Sequence, residues 1–204
     1  MPSGPLLPLF PLEVVLLPQE ALPLHIFEER YKLMIGEAAE GRLEFGIVLV
    51  KEQAMASAGC TALVEKVLRR YPDGRLDILT RGQRRYQILH VDEQKPYLRA
   101  AIEFFDDEDD QTPSSEAALK LAGLVEEALG LTSETASLRA EEPKGAFRIA
   151  GLLPLDLDLK QRLLTTRSEA GRVALLIQSL EQLLPGWRRA RRARRSAGGN
   201  GRGQ

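Results

Sequence analysis

The chain has 204 residues, of which 44% are hydrophobic and 28% are charged. This length and composition are typical of one globular domain, or of two packed lobes, with a sizeable core. A single cysteine, Cys60, excludes a disulfide framework within the chain and favours the reducing cytoplasm. We expect no targeting signal and no membrane partner, because no basic leader precedes the first apolar stretch and no apolar run reaches roughly 20 residues.

Residues 6–105 have the pattern of short β-strands. Glycine, proline and aspartate separate apolar runs at Val14–Leu17, Phe45–Val50, Thr61–Leu68, Leu76–Leu79, Tyr86–Val91 and Leu98–Phe105. The sequence Tyr71-Pro-Asp-Gly74 is a strong turn signal, because proline presets φ and glycine tolerates a positive φ. It predicts a hairpin between Val64 and Leu79.

One helix interrupts the β region, and only helices follow it. Phe27, Tyr31, Met34, Ile35 and Ala38 recur at helical spacing, and Gly41 is the expected end of that helix. After the acidic run 106–110, four more helices are predicted. Their expected first residues or caps are Thr112-Pro113, Phe147, Asp156 and Ser168.

These elements predict an α+β protein with a β lobe followed by a helical lobe. The expected boundaries are a β lobe at 1–105, an acidic connection at 106–112, a helical lobe at 113–185 and a disordered arginine-rich tail at 186–204.

Several motifs occur in an order that resembles the N-terminal domain family of Lon proteases. The matching segments are Leu7–Leu12, Val15–Pro18, Leu22–Tyr31, Phe45–Val48, Gly59–Ala62, Pro72–Arg75, Gly82 with Arg84–Tyr86, Leu152–Leu155 and Lys160–Leu164. Together with the helical pattern that follows, the resemblance spans roughly Leu7 to Leu184. One departure from the family pattern is Glu29, where the family often has proline.

The resemblance implies a PUA-like β-barrel or sheet lobe with one helix, a helical lobe, and a role in recognising polypeptides. It implies no catalysis, because the sequence contains no Gly-x-x-x-x-Gly-Lys-Ser/Thr loop and leaves no room for a Ser-Lys protease domain. We expect a non-catalytic module in proteolysis or protein quality control. Its expected partners are unfolded client polypeptides and a separate protease or ATPase.

Other candidate chemistry is weaker. Cys60 with His25 or His90 is the one arrangement for a thiol nucleophile, but the apolar setting of Cys60 favours simple packing. The run Asp106–Asp110 lacks the spacing of a calcium loop, so a solvated connection is favoured over a cation site. We therefore predict no catalytic residues, no metal and no cofactor.

The apolar, proline-interrupted N-terminal segment is the main candidate for a contact surface, because exposed apolar patches often mark interaction sites. We expect a groove between the lobes to hold apolar segments of client polypeptides. The candidate contact residues are Phe10, Leu24, Phe27, Tyr31, Tyr86 and Phe147.

An arginine-rich segment supports an alternative function in binding RNA or another polyanion. The six arginines are Arg188, Arg189, Arg191, Arg192, Arg194 and Arg195. Arginines at this density can neutralise several phosphates, which gives salt-dependent affinity without sequence preference. Up to Pro185, however, 21 basic residues face 29 acids, and this negative charge opposes nucleic acid.

Overall fold

The computed structural model describes residues 6–108, 112–132 and 145–199, with side chains up to Arg194. The elements in chain order are β1 (Leu7–Leu12), β2 (Ala21–Ile26), α1 (Glu29–Gly41), β3 (Phe45–Lys51), β4 (Ala54–Met55), β5 (Ala58–Arg70), β6 (Leu76–Asp92), β7 (Arg99–Phe104), α2 (Ser115–Thr132), α3 (Ala146–Leu152), α4 (Leu157–Thr165) and α5 (Glu169–Gly199). This architecture confirms the predicted α+β class.

The chain forms two compact units. The first comprises residues up to Asp106 together with 156–165, and the second comprises 107–155 with 166–204. α4 was predicted within the helical lobe but belongs to the first unit. There Leu163 and Leu164 are buried, and Gln161 Nε2 donates to Ala58 O at 3.0 Å. An amphipathic helix pattern does not specify which partner its apolar face covers.

The sheet of the first unit closes on itself. β1 pairs with β7 on one side and, in parallel, with β3 on the other, so the order β1–β7–β6–β5–β3 returns to β1. Side chains that point inward from these strands fill the barrel, as expected for a small closed sheet. Leu9, Tyr86 and Ala100 form one fully buried cluster of the sheet, and Phe45 and Ile47 are buried on the opposite face of β3.

β6 is much longer than the sequence pattern predicts. The runs Leu76–Leu79 and Tyr86–Val91 were predicted as separate strands, but both lie in the 17-residue β6. The polar stretch between them stays in the ladder because Gly82 pairs with Ala62 and its N–H donates to Glu20 O at 2.9 Å. The first half of β6 pairs with β2 on one side and with β5 on the other.

The run Val14–Leu17 is not a strand, although Val15, Leu16 and Leu17 are buried. Its end is fixed by a close approach to Gly82, where an added Cβ would lie 2.1 Å from Leu17 O. Burial alone, rather than strand pairing, explains its apolar pattern.

The predicted hairpin is confirmed. Val64 pairs with Thr80, and the turn forms with Tyr71 N donating to Arg75 O at 3.0 Å. Gly74 has φ +82°, which glycine adopts without steric cost.

In the second unit, helix starts mostly follow the predicted caps. The Gly171 N–H donates to Ser168 Oγ at 3.2 Å near the start of α5, as predicted. For α2 the cap is Ser114 rather than Thr112, because Ser114 Oγ accepts the Ala117 N–H at 3.1 Å. Thr112 lies too far before the first helical residue, Ser115, to satisfy that donor.

α5 continues to Gly199, past the boundary at 185 where a disordered tail was predicted. Pro185 lies inside the helix, and it removes one backbone hydrogen bond there. The alanines and arginines that follow are strong helix formers, which explains why the helix resumes. Residues 200–204 lie outside the described residues.

Candidate functional site

An exposed aromatic cluster lies where β2 ends. Alternate residues of a strand share a face, so His25 and Phe27 project from the same side of the chain at this point. Their ring centroids are 6.0 Å apart in a stacked arrangement. Tyr71, which begins the β5–β6 turn, approaches His25 edge-on at 5.9 Å. We call His25, Phe27 and Tyr71 the aromatic cluster.

Asp77 on β6 holds two of these three rings. His25 Nδ1 lies 2.5 Å from Asp77 Oδ1, and Tyr71 Oη donates to Asp77 Oδ2 at 2.8 Å. An ionised carboxylate only accepts hydrogen bonds, so Nδ1 carries the proton. The hydrogen bond from His25, and then that from Tyr71, hold the pKa of Asp77 below its usual range. Asp77 therefore holds His25 and Tyr71 in place, and Phe27 stacks on the His25 ring.

Two arginines complete the surroundings of Tyr71. The guanidinium of Arg69 lies 4.5 Å from the ring centroid, and that of Arg75 lies 4.8 Å from it. Phe27 is different, because 60% of the residue is exposed. Phe27 is thus the member of the cluster with the most surface available for a partner.

β2 is poorly suited to binding by strand addition. It pairs with β6 on one side, and Pro23, in the middle of the strand, has no N–H to donate. Proline on an edge strand interrupts the ladder that an added strand would need. Side chains, rather than free backbone groups, are therefore what this edge offers to a partner.

The structure separates the six candidate contact residues into different environments. Phe27 is exposed and Leu24 is half-buried. The other first-unit candidates are Phe10, Tyr31 and Tyr86, and all of them are buried. The rings of Phe10 and Tyr31 pack together with centroids 4.1 Å apart. We correct the prediction for these three residues, because a partner cannot reach side chains that fill the core.

Phe147 lies in the second unit. The guanidinium of Arg172 covers its ring at 4.3 Å from the centroid, and the residue is half-buried. This contact occupies one face of the ring. Phe147 therefore has a structural contact that its sequence position did not reveal, and the predicted groove between the lobes stays a prediction.

Sequence reasoning found Phe27 but missed Tyr71 and Arg69. Tyr71 was assigned only to a turn, although its half-buried ring contacts the exposed His25. The one available signal was the hairpin register. Arg69 pairs with Asp77, and Asp77 pairs with His25, so a correct register places the three side chains in one row.

Cys60 is fully buried, and its Sγ contacts Thr61 O at 3.4 Å. Burial raises the pKa of this thiol to about 12. At neutral pH the group keeps its proton, and a protonated thiol is a poor nucleophile. Cys60 is therefore a packing residue, as favoured from the sequence.

We predict that a thiol-specific reagent will label the folded protein at pH 7.5 at least about 100-fold more slowly than the denatured protein, because burial blocks access and suppresses the thiolate. The measurement is the rate of colour release from an aromatic disulfide reagent, with and without 6 M guanidinium as denaturant. Equal rates in the two conditions would show that Cys60 is accessible.

Among the described residues, no group of three histidine, cysteine, aspartate or glutamate side chains could hold a metal ion. Two members of the acidic run, Asp109 and Asp110, lie outside them. In the second unit, Asp107 pairs with Arg172, and Glu108 pairs with Arg167 at 2.8 Å. These two acids have structural partners. No described helix is long and apolar enough to cross a bilayer.

The closed sheet and the helices that follow it define this chain as an α+β protein, and the first unit carries an exposed aromatic cluster. A family model described as the ATP-dependent protease La (LON) substrate-binding domain matches residues 6–182. The chain therefore belongs to this family, which confirms the resemblance in the sequence.

The similar proteins are Lon proteases. Lon protease 2 of Herpetosiphon aurantiacus is 29% identical over 183 residues, a match that covers 78% of this chain and 21% of the relative. Lon protease of Roseiflexus castenholzii is 33% identical over 104 residues, covering 47% and 13%. The chain thus spans about a fifth of the length of these relatives or less.

Two solved structures have the same fold. A Lon N-terminal domain protein from Xanthomonas campestris has a TM-score of 0.68 at 24% identity, covering 86% of this chain and 98% of that one. The N-terminal domain of the Mycobacterium avium complex Lon protease has a TM-score of 0.62 at 19% identity, covering 87% and 98%.

Proposed function

We propose that the first unit binds exposed apolar segments of unfolded polypeptides at the aromatic cluster, without processing them. The observation that carries this proposal is Phe27, an exposed ring stacked on a histidine that Asp77 holds in place. A large apolar residue normally leaves water on folding, so an exposed ring is suited to a partner. Leu24, half-buried on the same strand, projects from the opposite face to His25, so the proposed surface rests on the aromatic cluster alone.

Family membership supports the same proposal, because the family model describes a substrate-binding domain. The relatives are Lon proteases, so a role in proteolysis or protein quality control follows as part of the proposal. The module would deliver clients to a separate protease or ATPase. Its single cysteine fits a cytoplasmic location.

The expected affinity is weak. Burial of two or three side chains yields about 25 cal/mol per Å² of apolar surface, and association itself costs several kcal/mol. The balance gives dissociation constants on the order of micromolar. Weak binding allows a client to be released to the next component.

We predict that Phe27→Ala will weaken binding of a permanently unfolded polypeptide by about tenfold, because truncation of a central aromatic contact typically costs 1–2 kcal/mol. Fluorescence anisotropy of a labelled, reduced and alkylated polypeptide measures the affinity. Since Phe27 is mostly exposed, the free energy of unfolding should change by less than about 0.5 kcal/mol.

The matched control is Leu89→Ala. Leu89 is 59% exposed and lies on β6, outside the aromatic cluster. This variant should bind as the parent protein does. Equal affinity of the Phe27→Ala variant and the parent would disprove the proposed site. Equal losses of affinity in both variants would indicate nonspecific binding to exposed apolar side chains.

A further inference from the structure

The arginine segment, residues 188–195, forms part of α5 rather than a disordered tail. Arg188 is paired with Glu127 of α2, with Nη2 donating to Oε2 at 2.7 Å. Arg189, Arg191 and Arg194 make no ion pair among the described residues. Their positive charge is therefore available to an external anion.

The helix distributes these charges around much of its circumference. At about 100° per residue, Arg188, Arg191 and Arg192 share one face, and Arg189 and Arg194 flank it on opposite sides. The remaining face carries Ala190 and Ala193. Cations thus project in three directions from one rigid rod, and only the alanine side lacks charge.

We propose that this end of α5 binds the phosphate backbone of duplex nucleic acid. An α-helix is about 10–12 Å wide, and the major groove of B-form DNA is about 12 Å wide, with phosphates on both walls. Arginines on both flanks can reach the two walls together. Such binding is non-specific, because phosphates carry no sequence information.

The distribution of residues favours nucleic acid over the other polyanions. A helix that lies on a membrane needs bulky apolar residues opposite its charges, and alanines do not supply them. An acidic protein surface would contact one face, which leaves the flanking arginines unused. The negative charge up to Pro185 repels nucleic acid, so contact should be confined to the arginine segment.

The test replaces the three arginines without ion pairs. In the full chain, Arg189→Gln, Arg191→Gln and Arg194→Gln are combined, because glutamine preserves helix propensity. The matched control combines Lys66→Gln, Arg70→Gln and Arg148→Gln, three exposed cations elsewhere whose loss lowers the net charge equally. Circular dichroism checks that both variants keep their helix content.

Anisotropy of a labelled 20-base-pair DNA duplex is measured from 25 to 200 mM salt. We expect the arginine variant to bind at least about tenfold more weakly at 50 mM salt. The slope of log K against log salt should fall by about 2–3, one unit or slightly less for each lost phosphate contact. The control variant should keep the parent affinity and slope.

Binding of other polyanions identifies which ligand the arginine segment prefers. An RNA duplex should bind more weakly than DNA, because the deep groove of A-form RNA is narrow; stronger RNA binding would make RNA the source. The proposal is overturned if the arginine variant binds DNA as the parent does. It is also overturned if polyglutamate or phosphatidylserine vesicles bind the parent as tightly as DNA. The Phe27→Ala variant should bind DNA normally, so the two proposals fail independently.

Discussion

Replacement of Tyr86 by alanine is expected to lower the free energy of unfolding by about 3–5 kcal/mol, the range for truncation of a large buried ring. Tyr86 has no exposed surface, and its Oη donates to Ile47 O at 3.1 Å. The ring lies against Gly46 and Gly59, where an added Cβ would lie 2.5 Å from the Tyr86 hydroxyl. These glycines leave the space that the ring fills, so alanine at 86 creates a cavity that neighbouring side chains cannot close.

Urea denaturation of three variants separates what the Tyr86 ring, its hydroxyl group and the neighbouring glycine contribute to the free energy of unfolding. Tyr86→Phe keeps the ring and loses one hydrogen bond, so it should cost only about 1 kcal/mol. Gly59→Ala places a methyl group 2.4 Å from Ile47 O, a backbone atom that has little freedom to move, and should cost about 1–3 kcal/mol or more. If Tyr86→Ala kept its denaturation midpoint and lost polypeptide affinity, Tyr86 would belong to the contact surface after all.

Local signals were sufficient for elements whose geometry is set by neighbouring residues. The turn at Tyr71–Gly74 depends on a proline and a glycine within four residues, and its hairpin is present as predicted. α1 ends at Gly41, as its apolar spacing and the glycine indicate. Both features follow from short-range backbone preferences.

Features that depend on distant partners were not accessible from the sequence. The run Val14–Leu17 has the apolar character of a strand, but its conformation is set by contact with Gly82. Likewise, α4 carries a helical apolar stripe that fits either lobe, and only the fold assigns it to the first unit. Hydrophobic periodicity indicates that a face is buried, but it does not indicate which element covers that face.

The same limit explains the candidate site. Phe10, Tyr86 and Phe27 are all aromatic residues in apolar surroundings, so the sequence ranks them alike. Two are buried and one is exposed, because Tyr86 packs with Leu9 on one face of the sheet and Phe10 packs against Tyr31 of α1 on the other. Phe27 follows the last residue of β2 and stays exposed. Asp77 and Tyr71 become neighbours of His25 only through the strand register.

The second large effect is expected in the second unit, where Arg172→Met should lower the free energy of unfolding by about 3–5 kcal/mol. The Arg172 side chain is only 4% exposed. Its guanidinium donates to both oxygens of Asp107, at 2.7 and 2.5 Å, and to Glu169 Oε2 at 2.7 Å. Methionine would leave two carboxylates close together without the cation that neutralises them.

The interactions of Glu169 extend the expected effect to α3, because its other oxygen accepts the Ala146 N–H at 2.7 Å. Hydrogen exchange of the α3 and α5 amides should therefore accelerate in the Arg172→Met variant, and urea denaturation measures the total loss. Arg167→Met is the control: its ion pair with Glu108 is exposed, and such pairs contribute about 0–1 kcal/mol. A loss below 1 kcal/mol in Arg172→Met would mean that desolvation of the guanidinium offsets its ion pairs.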